Sequence, residues 1–338
     1  MTATLLPQGG GTLPVAEWLA VLDVDYLRSF LPAGGAAVKM AVAGSPGTVD
    51  TLATGLRVAA VAAGLAVAHA DAAAVKVQFV DQLFAAVARQ LDWEAVARGW
   101  LRRVYADLSL QAPGGLAVRS VAGHNGLDAA ELQRSVRRGL EQTLLGDPLL
   151  PRDLRTAVLR IAQKEAGLPE TRREEAEAAL GWLRGEPLPA ATLRGLGLSA
   201  RITRSSARPL LVGLGQLLRG SGATGHGGLV LVVDARRLAV ARRPPLADRD
   251  GLYYTRTAVL DVWEVLRQLI DATEAMTAML VVVVVAPELV TDEARGLPAY
   301  AALQLRVADE VRDRRRVNPF AALVRLDVRL EAVAEGTP

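Results

Sequence analysis

The stretch Gly44-Ser45-Pro46-Gly47-Thr48-Val49-Asp50-Thr51 decides the fold assignment, because it has the spacing of a phosphate-binding loop without that loop's working residues. The motif is G-x-x-x-x-G-K-[ST], in which backbone amides cradle phosphates and the lysine reaches the outer phosphate oxygens. Gly44 and Thr51 keep the two ends of the motif, whereas Val49 replaces the second glycine and Asp50 replaces the lysine. Residues 37–43 (AVKMAVA) fit the preceding strand, and residues 52–63 fit the following helix.

The two replacements remove groups that such a loop uses to hold phosphate. Opposite unit charges about 4 Å apart attract by roughly 4 kcal/mol at an effective dielectric of about 20, and Asp50 turns this attraction into a repulsion of similar size. Val49 is β-branched and resists the backbone angles and close phosphate approach that glycine permits. The octapeptide has a second interpretation, a plain turn followed by a helix N-cap, and the sequence leaves both open.

Two further apolar runs fit the strands that carry catalytic groups in P-loop ATPases. Residues 229–234 (LVLVVD) end in Asp234, where such ATPases hold Mg²⁺, but Ala235 stands where many of them carry a catalytic glutamate. A role for Asp234 as a turn or helix cap is the favoured structural alternative. Residues 279–285 (MLVVVVV) are apolar throughout, as expected of a central parallel strand, and end at Ala286-Pro287, where a polar sensor residue is often found. The candidate nucleotide-site residues, in a degenerate site, are Gly44, Gly47, Thr48, Thr51 and Asp234.

The positions of these runs predict one sheet. We expect the strands near residues 38–43, 229–233 and 279–285 to be adjacent and parallel. Gly44 and Asp234 should then lie at the same carboxyl edge of the sheet. Loss of the lysine, the glutamate and the sensor side chain on an intact set of strands predicts a pseudo-ATPase.

Other segments resemble a known family. They are residues 181–187 (GWLRGEP), residues 225–234 (GHGGLVLVVD) and much of residues 253–326, with a weaker match over residues 18–51. The sequence resembles the BREX-system ATP-binding domain proteins, P-loop ATPases of the AAA+/ORC type associated with bacterial phage defence. The resemblance implies a P-loop fold and a role beside active relatives. It does not imply ATPase activity here, because the departures fall on the residues that bind and hydrolyse ATP.

The alternation of strands and helices predicts an α/β fold, a P-loop NTPase-like (AAA+/ASCE) parallel sheet flanked by helices. Residues 1–14 are predicted as a flexible N-terminus and residues 15–338 as a single domain with a large helical insertion at about 92–220. The eight residues after Leu330 are too few for the small helical lid of AAA+ proteins, so we expect no C-terminal lid. The hydrophobic period further predicts strands at residues 65–70 and 321–330 and helices at residues 15–31, 78–91, 257–275 and 299–314.

Composition limits the remaining chemistry. With 51% hydrophobic residues the chain is globular, and its formal net charge is only +3. The three histidines (His69, His124 and His226) are scattered and cysteine is absent, so we expect no metal site. We likewise expect no cofactor, neither ATP nor Mg²⁺. The lack of cysteine and of an uncharged apolar run of 18–20 residues predicts a cytoplasmic protein without a membrane span.

Clusters of arginine suggest a different function, contact with nucleic-acid phosphates. Few aromatic residues are interleaved with these arginines, so single-strand stacking has little support, and solvated faces or protein contacts are favoured. The nucleic-acid candidates are Arg134, Arg137, Arg138, Arg312, Arg314, Arg315 and Arg316.

The sequence therefore predicts a catalytically inactive P-loop ATPase-like protein that acts as an interaction or scaffold subunit of a BREX-like phage-defence assembly. Its partner would be a protein, in a homo- or hetero-oligomer, without membrane contact. One alternative is a DNA-binding module on the same fold. Another is an ATPase with an unconventional site, which would need a basic residue from elsewhere to replace the lysine.

Overall fold

The computed structural model describes residues 11–169, 171–222, 227–308 and 317–327. Its centre is a six-stranded sheet in the order β1-β6-β2-β5-β4-β3, and every neighbouring pair is parallel. The strands are β1 Leu13–Pro14, β2 Ala36–Ala43, β3 Ala66–Asp71, β4 Leu229–Asp234, β5 Met279–Val285 and β6 Leu323–Asp327.

The three strands that carry the predicted motifs lie side by side. Strand β5 lies between β2 and β4, with Met279 opposite Ala36 on one side and Leu229 on the other. All of its residues are buried, as its continuous apolar sequence predicts. The predicted adjacency and parallel direction of these strands are therefore confirmed.

Helices cover both faces of the sheet. Residues 22–30 and 141–145 are π-helical, and short 3₁₀ turns occur after β4 and on either side of β5. The α-helices are α1 Val15–Val21, α2 Pro46–Ala62, α3 Val80–Ala88, α4 Trp93–Asp107, α5 Val118–Asn125, α6 Ala129–Leu140, α7 Arg152–Glu165, α8 Arg173–Leu183, α9 Ala190–Leu196, α10 Arg204–Ser221, α11 Arg256–Asp271, α12 Glu288–Thr291 and α13 Ala301–Val307.

Alternate residues of the central strands belong to two hydrophobic cores, one on each face of the sheet. On one face, Val282 of β5 packs in a cluster with Trp18 of α1 and Leu52 of α2. On the other face, Val281 and Val283 belong to a larger cluster that includes the helices of residues 93–221. This alternation follows from the pleat, which points successive side chains to opposite faces.

The described residues of the predicted insertion, 92–220, form helices α4 to α10 and contain no strand. Their core is continuous with that of the sheet. Trp100 of α4, for example, donates its indole N–H to the Leu217 carbonyl of α10 at 3.2 Å, and α10 leads to β4. The division of the chain into a single domain with a helical insertion remains a prediction.

Several predicted boundaries differ from the structure. Helix α2 begins at Pro46 rather than residue 52, because Ser45 caps it and proline suits the first helical position. Leu13–Pro14, expected within a flexible N-terminus, instead pairs with Leu326–Asp327, and Leu13 is buried. Residues 1–10 and 309–316 lie outside the described residues, and the second range includes the end of the helix predicted over residues 299–314. Residues 328–338, where the prediction about a lid falls, lie outside them too.

A buried lysine ties β2 to the segment before β6. Lys39 is 6% exposed and donates from Nζ to the carbonyls of Phe320 at 2.5 Å and Ala321 at 3.2 Å. Its charge also lies 5.1 Å from the centre of the Tyr26 ring. A buried ammonium is tolerated when its donors find such acceptors, so Lys39 has a structural role. Among the described residues, no helix combines the length and apolar character needed to cross a membrane.

A carboxylate on α11 should make stability depend on acid pH. Hydrogen bonding to Arg267, helped by Tyr300 and Gln268, lowers the pKa of Glu264 from its ordinary 4.5 to about 2. A pKa that is depressed in the folded state stabilises the protein above about pH 4.5, and this stabilisation is lost as the pH falls towards 2. We expect Glu264→Gln to lower the urea unfolding midpoint at pH 7. The difference in midpoint between the variant and the wild type should be smaller at pH 3. A difference that stays constant with pH would argue against this linkage.

Candidate functional site

The carboxyl edge of the sheet brings together the motif residues that the sequence singled out. Gly44 follows the end of β2, Asp234 ends β4, and Ala286 follows β5. Asp71 ends β3 directly opposite Asp234 in the parallel register. This edge, beside the start of α2, is where ligands bind in open parallel sheets.

The connection from β2 to α2 is a two-residue turn rather than a wrapped loop. Ser45 is extended and accepts the Thr48 N–H on its Oγ at 3.1 Å, while the Val49 N–H bonds to the Ser45 carbonyl at 3.3 Å. Pro46 has no N–H. Of the first four residues of α2, only Gly47 keeps an N–H without a partner in the described part of the chain. The amides that would cradle a phosphate are therefore largely used within the helix.

The remaining side chains of the motif are not arranged around a phosphate site either. Thr51 donates its hydroxyl to the Gly47 carbonyl at 2.8 Å. Thr48 and Val49 are 3% and 4% exposed, and Val49 packs in the core beneath α2. Asp50, at the lysine position, is exposed. The turn-and-cap interpretation of the octapeptide is the one that the structure adopts.

Asp234 forms an ion pair with an arginine two residues later. It is 8% exposed, and its Oδ2 accepts from Nη2 of Arg236 at 2.7 Å while Oδ1 accepts from Nε at 3.0 Å and from the backbone N–H at 3.1 Å. Both carboxylate oxygens are thus used by the turn after β4. The arrangement is the structural cap that the sequence favoured.

The charges of three carboxylates act on the Arg236 guanidinium. The hydrogen bond to Asp234 raises the pKa of Arg236, and the charges of Asp234, Asp50 and Asp71 add to that rise, while burial opposes it. Asp71 also accepts the Ala73 N–H at 2.7 Å. Three carboxylates against the single guanidinium of Arg236 make this cluster net negative, which repels a polyphosphate.

A cavity of about 360 Å³ lies on the other side of the α2 N-terminus, towards β6. Gly44, Ser45 and Thr48 line one wall, and Arg325 of β6 lines the opposite wall. Arg325 lies opposite Val42 in the register, is half-buried, and has no hydrogen bond or ion pair in the described part of the chain. Pro287 closes the top of the turn, since a Cβ added to Gly44 would lie 3.3 Å from its Cγ.

The comparison that decides the family is a match along most of the chain. The family model described as BREX system ATP-binding protein BrxC/D matches residues 31–332. The chain belongs to this family. Neither the curated proteins nor the solved structures include a match to it.

The arginines proposed for nucleic acid divide into two groups in this BREX family member. Arg134 and Arg138 are exposed and lie one turn apart on α6, while Arg137 is half-buried. Arg312, Arg314, Arg315 and Arg316 lie outside the described residues. The structure therefore brings only two of these side chains onto one exposed helical face.

Three site residues were missed by reasoning from sequence, namely Asp71, Arg236 and Arg325. Asp71 had a usable signal, because it ends an apolar run (AVAHAD) as Asp234 does. Arg236 and Arg325 had none, since arginine is common along the chain and strand order decides which ones reach this edge. Among the residues that the structure describes, no three His, Cys, Asp or Glu side chains are arranged to hold a metal ion.

The capping role of Ser45 is directly testable. We expect Ser45→Ala to destabilise the protein by about 1 kcal/mol, because the Thr48 N–H loses its acceptor at the start of α2. Ser45→Asp keeps an acceptor at the cap and should retain stability close to the wild type. The measurement is the urea unfolding midpoint. Equal losses in both variants would show that the cap is not the source of the effect.

Proposed function

We propose that this BREX family member is a non-catalytic subunit, which keeps the P-loop sheet as a framework for association and neither binds ATP tightly nor hydrolyses it. The observation that carries the proposal is the use of the α2 N-terminus by its own residues. Ser45 caps the helix and Pro46 removes a donor, so the usual anion site at a helix start is mostly satisfied internally.

The charge of the site supports the same conclusion. The residues at this edge fit an ATP–Mg²⁺ complex poorly, since Asp50 replaces the lysine and Asp234 is held by Arg236. A carboxylate engaged by a guanidinium through both oxygens is a weak ligand for a cation. Ala235 and Ala286 offer no side chain to activate water or to sense the outer phosphate.

Membership of the BREX family supports a role in phage defence alongside other components of that system. A sheet whose strands are retained while its catalytic groups are absent is consistent with selection for shape. We propose that the chain associates with another protein of that assembly. The cytoplasmic location expected from the sequence remains a prediction.

Phage plating in the native host tests the proposal. Deletion of the gene should reduce protection, and the wild-type protein supplied in trans should restore it. The variants Thr51→Val and Asp234→Asn, with expression matched to the wild type, should restore protection equally, because neither residue would bind nucleotide. Loss of protection by a folded, normally expressed Thr51→Val variant would contradict a non-catalytic role.

The alternative of DNA binding predicts a different outcome. Light scattering with short duplex and single-stranded DNA at two salt concentrations would then show complexes that weaken steeply with salt, because phosphate contacts release counterions. The exposed pair Arg134 and Arg138 is the described candidate surface. Salt-insensitive self- or partner association without DNA binding favours the scaffold proposal.

The other alternative, an ATPase with an unconventional site, rests on Arg325. It is a basic residue without a partner in the described part of the chain, and it lines the cavity beside Ser45 and Thr48. A calorimetric titration with Mg-ATP separates this alternative from the main proposal.

A further inference from the structure

Strand β3 lies at one end of the described sheet and has an outward edge. The N–H groups of Ala66 and Ala72 donate to the carbonyls of Gly228 and Asp234, at 3.0 and 2.9 Å. In a parallel ladder the N–H and C=O of alternate residues point to opposite sides. Residues 66, 68, 70 and 72 therefore face β4, and Val67, His69 and Asp71 direct their backbone groups away from the sheet.

One side chain already takes the place of a further strand on this edge. Gln90 accepts the His69 N–H on Oε1 at 2.9 Å and donates from Nε2 to the His69 carbonyl at 2.7 Å. This amide thus makes the pair of hydrogen bonds that a peptide unit would make. The Asp71 carbonyl is used too, since it accepts from the N–H groups of Ala74 and Val75.

Val67 is different from both of these outward residues. Neither its N–H nor its C=O has a hydrogen-bond partner in the described part of the chain. The residue is half-buried. A backbone pair of this kind at a sheet edge is a template for another extended chain.

A groove of about 470 Å³ lies directly over Val67. Its walls come from the end of α2, the start of β3 and the turn between α3 and α4, and the lining is mainly aliphatic. Lining side chains include Val61, Leu65, Leu91 and Val96. Val61 is 63% exposed, and Val58 on the same helix is 62% exposed, so the apolar surface continues outside the groove.

The rim of the groove carries a positive charge. Arg57 lines it, is exposed, and has no ion pair or hydrogen bond in the described residues. The carboxylate across the groove, Asp92, caps α4 through the Ala95 N–H at 2.8 Å and lies 3.9 Å from Arg98. The free charge at the rim is therefore positive and is complementary to an acidic side chain.

We propose that this groove binds an extended, acidic and aliphatic segment of another protein, which adds to the edge of β3 by pairing with Val67. The segment's backbone exchanges two hydrogen bonds with Val67, one of its aliphatic side chains enters the groove, and an acidic residue contacts Arg57. Main-chain pairing supplies the direction of the bound segment, and the side-chain pocket supplies specificity. The inference gives a location to the proposed scaffold role, but it concerns a surface remote from the α2 N-terminus and is tested without ATP, phage or DNA.

The test uses the full-length protein and a fluorescently labelled, capped hexapeptide in which valine alternates with glutamate and threonine. A second peptide has the same side chains but a methylated central backbone nitrogen, so it cannot donate to the Val67 carbonyl. We expect the methylated peptide to bind about tenfold more weakly by fluorescence anisotropy, which corresponds to the loss of one hydrogen bond. Equal binding of the two peptides, or no binding of the first at millimolar protein, would overturn the proposal.

Variants of the protein give a matched comparison. Val67→Pro removes the outward N–H and leaves the bonds to β4 in place, whereas Val67→Thr keeps the N–H and the branched shape. We expect the hexapeptide to bind Val67→Pro about tenfold more weakly and Val67→Thr like the wild type. Arg57→Glu should weaken binding of the acidic peptide at low salt, and the effect on binding should be smaller at high salt. Circular dichroism checks folding, and the methylated peptide keeps the test decisive if Val67→Pro does not fold.

Hydrogen exchange at Val67 identifies other occupants. In the free protein its amide should exchange rapidly at every protein concentration, while the His69 amide, held by Gln90, is protected. Protection of Val67 in dilute free protein would mean that a segment of the same chain covers the edge. Protection that grows with protein concentration would mean that a second copy covers it. Either result would overturn the assignment to a different protein.

Discussion

A calorimetric titration of the protein with Mg-ATP is expected to show no binding in the micromolar range. The repulsion introduced by Asp50 in place of a lysine, at roughly 4 kcal/mol, corresponds to about three decades of affinity. The carboxylates of Asp71 and Asp234 lie at the same edge of the sheet. The amides at the start of α2 are mostly used by Ser45 and the helix itself. We therefore expect a dissociation constant of about 1 mM or weaker.

Restoring the motif residues tests whether the side chains or the backbone conformation prevents nucleotide binding. The double variant Val49→Gly with Asp50→Lys recreates the motif residues, but α2 still begins at Pro46. We expect this variant to remain far from micromolar affinity, because the backbone from Pro46 onward is helical rather than wrapped. A known P-loop ATPase titrated in the same buffer serves as the positive control.

If the protein does bind Mg-ATP, a further variant would locate the nucleotide site. Micromolar binding of Mg-ATP by the wild-type protein would refute the non-catalytic proposal. If Arg325→Ala then abolished that binding, the cavity between α2 and β6 would hold the nucleotide, and the alternative of an unconventional ATPase site would be correct.

The largest effect on stability is expected from Gly215→Ala. Gly215 lies in α10 where this helix crosses the chain entering β5, and a Cβ there would lie 2.1 Å from the Thr277 carbonyl oxygen and 3.1 Å from that of Ala278. Backbone atoms cannot move aside as a flexible side chain can. Overpacking of this kind costs about 3 kcal/mol, so the urea midpoint should fall markedly.

Gly123→Ala is the matched control for this substitution. Gly123 is also helical, in α5, but an added Cβ would meet no heavy atom within 4 Å. Because alanine has the higher helix propensity, we expect unchanged stability or a gain of up to about 1 kcal/mol. A similar loss in both variants would mean that the contact with residue 277 is not the source of the effect.

The sheet was largely predictable from sequence because its strands are unusually apolar. Residues 229–233 and 279–285 are continuous runs of leucine, valine and methionine, which fit parallel strands buried on both faces. Helix limits were less predictable. The π-helical residues 22–30, for instance, follow α1 without any break in the apolar pattern that predicted one helix over residues 15–31.

The candidate site was predicted only in part. The sequence predicted that Gly44 and Asp234 lie at the same edge of the sheet, and it showed that the lysine position holds Asp50. It left open whether the octapeptide forms a loop or a capped helix. The local preferences of Ser45 and Pro46 favour the helix, but a wrapped loop depends on stabilising contacts with the rest of the fold, which one segment does not reveal.

The sequence by itself determined the family, the parallel sheet and the absence of the motif lysine, because each depends on residue types and their spacing along the chain. Only the tertiary structure decided which charges meet. Asp234 binds Arg236, and the charges of Asp71 and Asp50 also act on it, because β3 and β4 pair in register beside the start of α2. Val67 keeps an open backbone pair because β3 ends the described sheet and Gln90 bonds to His69 and Ala86. Such contacts join residues far apart in sequence, so strand order and register, rather than local pattern, determine them.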